Sequence, residues 1–198
     1  PSSKTTKNYT ILDSVTEICY GAFSRAYRLK SVQMSDSVIT VGLGAFEYCE
    51  NLSGIILSDN IVSIEDYAFY HCAQLDNITL PDNLTTIGID AFSGCSSLKV
   101  IISKISAPFA VNAFSYFIDI ENRVALIVPK DSRDAYYNVS GWDVFDIYED
   151  GEDFYIEEHL DEQGILYNLL YDSEGLYYSV AWHIDEMNAD IVIPAELR

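Results

Sequence analysis

The stretch Ala68-Phe69-Tyr70-His71-Cys72-Ala73-Gln74-Leu75-Asp76-Asn77-Ile78-Thr79-Leu80-Pro81 decides the fold, because its apolar positions return at a constant interval in both directions. Ala-Phe recurs at Ala22-Phe23, Ala45-Phe46 and Ala91-Phe92, with 23 residues between successive copies, and Ala113-Phe114 follows after 22. Cys49, Cys72 and Cys95 stand three residues after a Phe, and Ala26 fills that slot in the first unit. Leu29, Leu52, Leu75 and Leu98 come next, then Val32, Ile55, Ile78 and Ile101, then Met34, Leu57 and Leu80. Ile18, Val41, Ile64 and Ile87 precede each Ala by four. A unit of this length is too short to enclose a core alone. It is the right length for one coil of a solenoid whose apolar positions stack on the next coil.

Within the unit, Leu-x-x-Ile-x-Leu ends in strict alternation, which predicts a short strand. Successive coils then pair these strands into a parallel sheet at ~4.8 Å spacing. The Ala-Phe-x-x-Cys segment is expected on the opposite, convex side as a single helical or 3₁₀ turn. Asn60 and Asn83, with Ser37 equivalent, fall where a side-chain amide can satisfy backbone groups between coils.

These residues resemble the BspA-like class of leucine-rich repeats of bacterial and some protozoan surface proteins, whose unit has the form Ala-Phe-x-x-Cys-x-x-Leu-x-x-Ile-x-Leu-Pro. Only Leu80-Pro81 and Val128-Pro129 keep the proline, and the likeness covers roughly residues 10–145. The segment Ala125–Lys130, followed by Asp134-Ala135-Tyr136 and Gly141-Trp142, is similar to the stretch that closes such arrays, with Trp142 covering the last coil. The resemblance implies an α/β, mostly β fold: a right-handed leucine-rich-repeat solenoid with a short parallel strand per coil and a small β-rich C-terminal segment. It also implies a secreted or envelope-anchored protein that contacts macromolecules of a host or neighbouring cell. It leaves the ligand open, because a repeat is a scaffold.

Charge divides the chain. Residues 141–198 carry 16 of the 31 acidic groups and a single base, Arg198, within a formal net charge of −20. Such a field repels phosphate backbones and anionic bilayers, so nucleic acid and membrane surfaces are poor partners. No apolar run approaches the ~20 residues of a membrane-spanning helix. Two regions are expected: a repeat array with its closing cap over 1–148, and an acidic β-hairpin segment over 149–198. The hairpin reads from Gly164–Leu170, a turn at Asp172–Gly175 and Leu176–Trp182. Ala189–Pro194 resembles the lead-in to another array.

Several residues invite a chemical reading. Cys49, Cys72 and Cys95 come one per coil, without a Cys-x-x-Cys pair or a His at ligand spacing, so they read as small buried core residues. Cys19 is the thiol expected to be exposed. His71, His159 and His183 accompany no nucleophile elbow, phosphate loop or His-Glu-x-x-His, so no enzyme and no cofactor is expected. The run Glu149–Asp153 with Glu157, Glu158, Asp161 and Glu162 has calcium's preferred oxygen donors without a dedicated loop's spacing. It reads first as a solvated acidic face.

The sharper signal is the concave sheet. Alternation directs one residue per strand outward between two inward ones. Aligned units place Gln33, Ile56, Thr79, Ile102 and Ile127 in one outward row, with Ser31, Gly54, Asn77, Val100 and Ala125 beside it. This flat, largely uncharged face on an acidic protein is the expected binding surface for a protein or glycan. The competing readings are a structural spacer or self-association module of a longer envelope protein and, third, an enzyme with an unrecognised site.

Overall fold

The computed structural model describes residues 7–115 and 124–152, and beyond them the backbone of 154–160, 165–172 and 175–183. In chain order the array contains β1 (Asn8–Thr10), β2 (Glu17–Ile18), β3 (Ser31–Gln33), β4 (Thr40–Val41), β5 (Gly54–Ile56) and β6 (Ser63–Ile64). It continues through β7 (Asn77–Leu80), β8 (Thr86–Ile87), β9 (Val100–Ser103) and β10 (Ala125–Val128). Helix α1 (Arg133–Tyr137) and β11 (Asp146–Glu149) follow. Strands β12 (Phe154–Leu160), β13 (Ile165–Asp172) and β14 (Gly175–His183) form an antiparallel sheet in that order. With α1 the only helix among the described residues, the fold is a mostly β solenoid of about six turns, and the α part of the expected class shrinks to five residues.

One strand per coil lines the concave side, as the alternation requires. Asn8 pairs with Ser31, Ser31 with Gly54, Asn77 with Val100, Val100 with Ala125 and Ala125 with Asp146, all in parallel. A second parallel sheet, β2-β4-β6-β8, runs where each chain turns away. Its buried members Ile18, Val41, Ile64 and Ile87 were legible as core positions. Their strands are two residues long, too short for a period to register.

The convex turn keeps the i→i−3 bonds of the expected helical or 3₁₀ turn at only alternate residues. Its amides alternate: in the second coil Phe46 N–H and Tyr48 N–H reach forward to Ala68 and Tyr70, both at 2.7 Å, while Glu47 and Cys49 bond back to Gly44 and Phe46. A helix would spend every N–H internally; here every second one ties a coil to its neighbour. The alternation comes from two left-handed residues per coil. Gly44 and Tyr48 have φ of 58° and 56°, and Tyr67 and His71 have 57° and 55°. Tyrosine and histidine hold this conformation at a cost of roughly 1 kcal/mol each, offset by the inter-coil bonds and by stacking of Tyr48 on His71 at 5.1 Å. His71 in turn lies over Gly94, where an added Cβ would stand 2.9 Å from its ring.

Inside, Phe23, Phe46, Phe69, Phe92 and Phe114 form one parallel stack with centroid separations of 5.0, 5.2, 5.3 and 5.5 Å. Tyr9 meets the open face of Phe23 edge-on, and Phe145 does the same to Phe114. Trp142 is fully buried beside Phe114, donating its indole N–H to the Phe109 carbonyl at 2.8 Å, and so caps the last coil as expected. Gly141 permits this closure: its φ is +96° and a Cβ there would lie 2.1 Å from the Val111 carbonyl oxygen. Tyr136, also buried, bonds its hydroxyl to Ser103 and the Ile105 carbonyl.

β13 and β14 form the hairpin, with Ile165 opposite His183 and Asp172 opposite Gly175. Ala189–Pro194 and the side chains of Asp153, Glu157, Glu158, Asp161, Glu162, His159 and His183 lie outside the described residues.

The continuous stack has a measurable consequence. Phe69→Ala, at its centre, should lose about 3–5 kcal/mol in chemical denaturation, the range for large aromatic truncations. Phe23→Ala should lose less, since its outer neighbour is the edge of Tyr9. Equal losses at both sites contradict the end-to-centre gradient.

Candidate functional site

The outward concave rows extend one coil further toward the N-terminus than the repeat alignment placed them, because β1 adds exposed Asn8 and Thr10. Gln33 and Asn77 are exposed, Ile56 is 61% exposed, and Ser31, Gly54, Thr79 and Ile102 are half-buried. Val100, Ala125 and Ile127, expected outward, are buried at 0%, 3% and 1% exposure. Ile127 stands between Ile102 on β9 and Tyr148 on β11, two large neighbours in its own row. The strand spacing also changes here, to 25 residues between β9 and β10 and 21 between β10 and β11. The free face therefore spans β1 to β7, with Ile102 at its edge.

Within that face the ladder is interrupted once. Strands β1-β3-β5 form one hydrogen-bonded group and β7-β9-β10-β11 another. Met34 N–H donates to the Ile56 carbonyl at 2.9 Å, but the same bond one coil on, from Leu57 to Thr79, is not made. Nor does Asn77 N–H reach Ser53 as Gly54 N–H reaches Lys30. β5 carries Gly54, which adds backbone entropy and offers no side chain to a cross-strand neighbour. Two core positions register the opening. Ile55 and Leu57 are only partly buried, whereas their counterparts Val32, Ile78 and Ile101, and Met34 and Leu80, are 5% exposed or less.

The opening is a cleft of about 450 Å³ floored by Ile55, Ile56 and Leu57, with Thr79 and Asn77 on its far wall and Asp36, Asp59 and Lys104 at its rim. Lys104 Nζ bonds Asp59 Oδ1 at 3.0 Å across the intervening coil. The rim is built of repeats: Asp13, Asp36, Asp59 and Asp82 are exposed, one per coil, 23 residues apart. Asn60 and Asn83 donate side-chain N–H to the Asp36 and Asp59 carbonyls at 2.9 Å, the inter-coil role expected of them. Sequence reasoning placed Ile55 and Leu57 in the core and did not find the cleft. The aspartate period and Gly54 were its signals in the sequence.

The chemical candidates elsewhere resolve into structure. Cys49, Cys72 and Cys95 are buried and Cys19 is exposed. Each buried thiol donates to a carbonyl of the preceding coil, those of Phe23, Phe46 and Phe69, at 3.1, 3.3 and 3.2 Å. That bond was not anticipated; Ala26 in the same slot suggested volume alone. Burial pushes the Cys49 thiol up to about 12, and burial with its thiol neighbours pushes Cys72 well above the ordinary range. His71 is exposed on the convex side, stacked among Tyr48 and Tyr70. Among the described residues no group of three His, Cys, Asp or Glu side chains is placed to hold a metal ion.

The model of the BspA type leucine rich repeat region matches residues 2–121 in six copies. The chain belongs to the BspA-type leucine-rich-repeat family. No curated protein matches it in sequence. Among solved structures it is similar to the pneumococcal vaccine antigen PcpA, with a TM-score of 0.61 at 20% identity over 77% of this chain and 43% of that one. It is also similar to the Treponema pallidum (T. pallidum) leucine-rich-repeat protein TpLRR, with a TM-score of 0.53 at 22% identity and 68% of each chain covered. At these identities the likeness is one of fold. The chain spans less than half of the pneumococcal protein's length. Membership in this repeat family supports a non-catalytic repeat protein.

Thiol chemistry checks the site assignment. In native protein exposed Cys19 should react readily with a thiol reagent, while Cys49, Cys72 and Cys95 react only after unfolding, since the reagent cannot reach a buried sulfur. Fast labelling of all four contradicts the stacked column.

Proposed function

We propose that this BspA-type repeat protein is a cell-surface or secreted recognition module, non-catalytic, that binds a protein or glycan of a host or neighbouring cell through the concave face. The observation that carries the reading is the exposed row Gln33-Ile56-Thr79 with its cleft, where the accessible apolar residues Ile55, Ile56 and Leu57 lie among polar and charged side chains. Apolar contact area beside a few fixed polar groups is what a recognition site offers. On the convex side the rings of Tyr48, Tyr70 and His71 are already stacked on one another. Among the described residues no helix is long and apolar enough to cross a membrane.

The test is a binding screen against extracellular matrix proteins and glycans, repeated with Thr79→Lys and Ile56→Glu. Both should abolish capture of whatever partner the parent retains, with stability changed by no more than about 0.5 kcal/mol, as for surface substitutions. His71→Ala, on the convex side, should bind like the parent. Unchanged capture by the concave variants places the site elsewhere. A parent that binds only itself supports the spacer reading instead.

A further inference from the structure

We infer that the cleft between β5 and β7 is the anchor point of the concave face, and that its occupant is a cationic segment of a partner chain carrying an aliphatic or aromatic side chain between basic residues. The inference rests on the concave-face reading and goes beyond it in naming the partner's chemistry. Two features specify that chemistry, one for each half of the occupant.

The floor specifies the apolar half. Ile55 and Leu57 belong to rows that are closed in the coils beside them, yet both are reachable from solvent through the interrupted ladder, next to exposed Ile56. At about 450 Å³ the cleft is of the size that buries small ligands or an anchoring side chain. An inserted aliphatic or aromatic group recovers the burial that the missing strand pairing leaves undone.

The rim specifies the cationic half. Lys104 already places an ammonium at the mouth, bound to Asp59 at 3.0 Å, so the site's preference is displayed by the chain's own side chain. Asp36, at the same rim, has no ion-pair partner among the described residues. Asp13 and Asp82 extend the acidic row by one coil on either side, so that it spans roughly 14 Å at the ~4.8 Å strand spacing. An extended segment lying along it can set basic residues against these carboxylates while the residue between them points into the cleft. The asparagine-to-carbonyl bonds of Asn60 and Asn83 hold the Asp36 and Asp59 backbones in place, so the rim is ordered before anything binds. An acidic or purely polar segment finds like charge at the rim and nothing to bury.

Three synthetic peptides test this with the full chain: one alternating Lys with Leu and Phe, one with Glu in place of Lys, and one with Lys but Gly and Ser in place of the apolar residues. Only the first should bind with saturable, salt-sensitive affinity, shifting the methyl resonances of Ile55, Ile56 and Leu57. The double change Asp36→Asn, Asp59→Asn should weaken it by about tenfold or more. Lys104→Ala should tighten it several-fold by freeing Asp59, and Arg28→Ala, which changes net charge equally on an exposed residue away from the cleft, should not. Equal binding of the third peptide, or equal tightening by Arg28→Ala, reduces the effect to net charge and overturns the proposal. Ser31→Tyr separates the two levels, because it obstructs the concave face without lining the cleft. Binding lost in that variant but indifferent to the aspartate changes overturns the cleft and leaves the concave-face reading standing. Binding indifferent to both sets overturns both.

Discussion

Face-to-face contact of one phenylalanine per coil is the constraint from which the rest of this structure follows. Rings at 5.0–5.5 Å spacing leave one coil thickness available, and the 23-residue unit must return its chain to that spacing each time. The convex turn meets the requirement with left-handed residues that send alternate amides to the next coil. The cysteine column of the same turn adds a further tie, each thiol bonding the carbonyl of the phenylalanine one coil back. Edge-on Tyr9 at one end, and Phe145 with Trp142 at the other, terminate the stack by covering ring faces that would otherwise meet water.

Because the convex side is tied so thoroughly, the concave side can lose a pairing without the coils separating. Between the third and fourth coils the Phe46–Phe69 stack, the β4-β6-β8 ladder and the Asn83 bond to the Asp59 carbonyl all continue, while the β5-to-β7 hydrogen bonds are absent. The result is a local opening in a rigid frame. A binding surface gains from that combination: the frame fixes the rim carboxylates, and the opening exposes apolar atoms that the repeat pattern assigns to the core.

What the sequence displays is what repeats as side-chain type. The phenylalanines, cysteines, concave strands, inter-coil asparagines and the closing Trp142 all follow from residues in phase. The second sheet has two-residue strands with a single inward residue each, so alternation carries no trace of the strands, although Ile18, Val41, Ile64 and Ile87 recur in phase as core positions. The thiol bonds depend on the direction of an S–H, for which Ala26 offers no counterpart. The burial of Val100, Ala125 and Ile127 depends on neighbours in adjacent coils and on a change of coil length. The cleft depends on two backbone bonds that are not made, Leu57 to Thr79 and Asn77 to Ser53, although Ile55 and Leu57 match their repeat positions well. Only Gly54 and the aspartates at 13, 36, 59 and 82 hint at it.

The opening between β5 and β7 is the feature on which the functional account turns, and amide hydrogen exchange reads it directly. Leu57 and Asn77 should exchange at least about tenfold faster than Met34 and Gly54, their equivalents one coil earlier, because the former lack the inter-strand acceptors that the latter have. Equal protection at the two junctions would mean a closed ladder with Ile55 and Leu57 sealed beneath it, and would contradict the account.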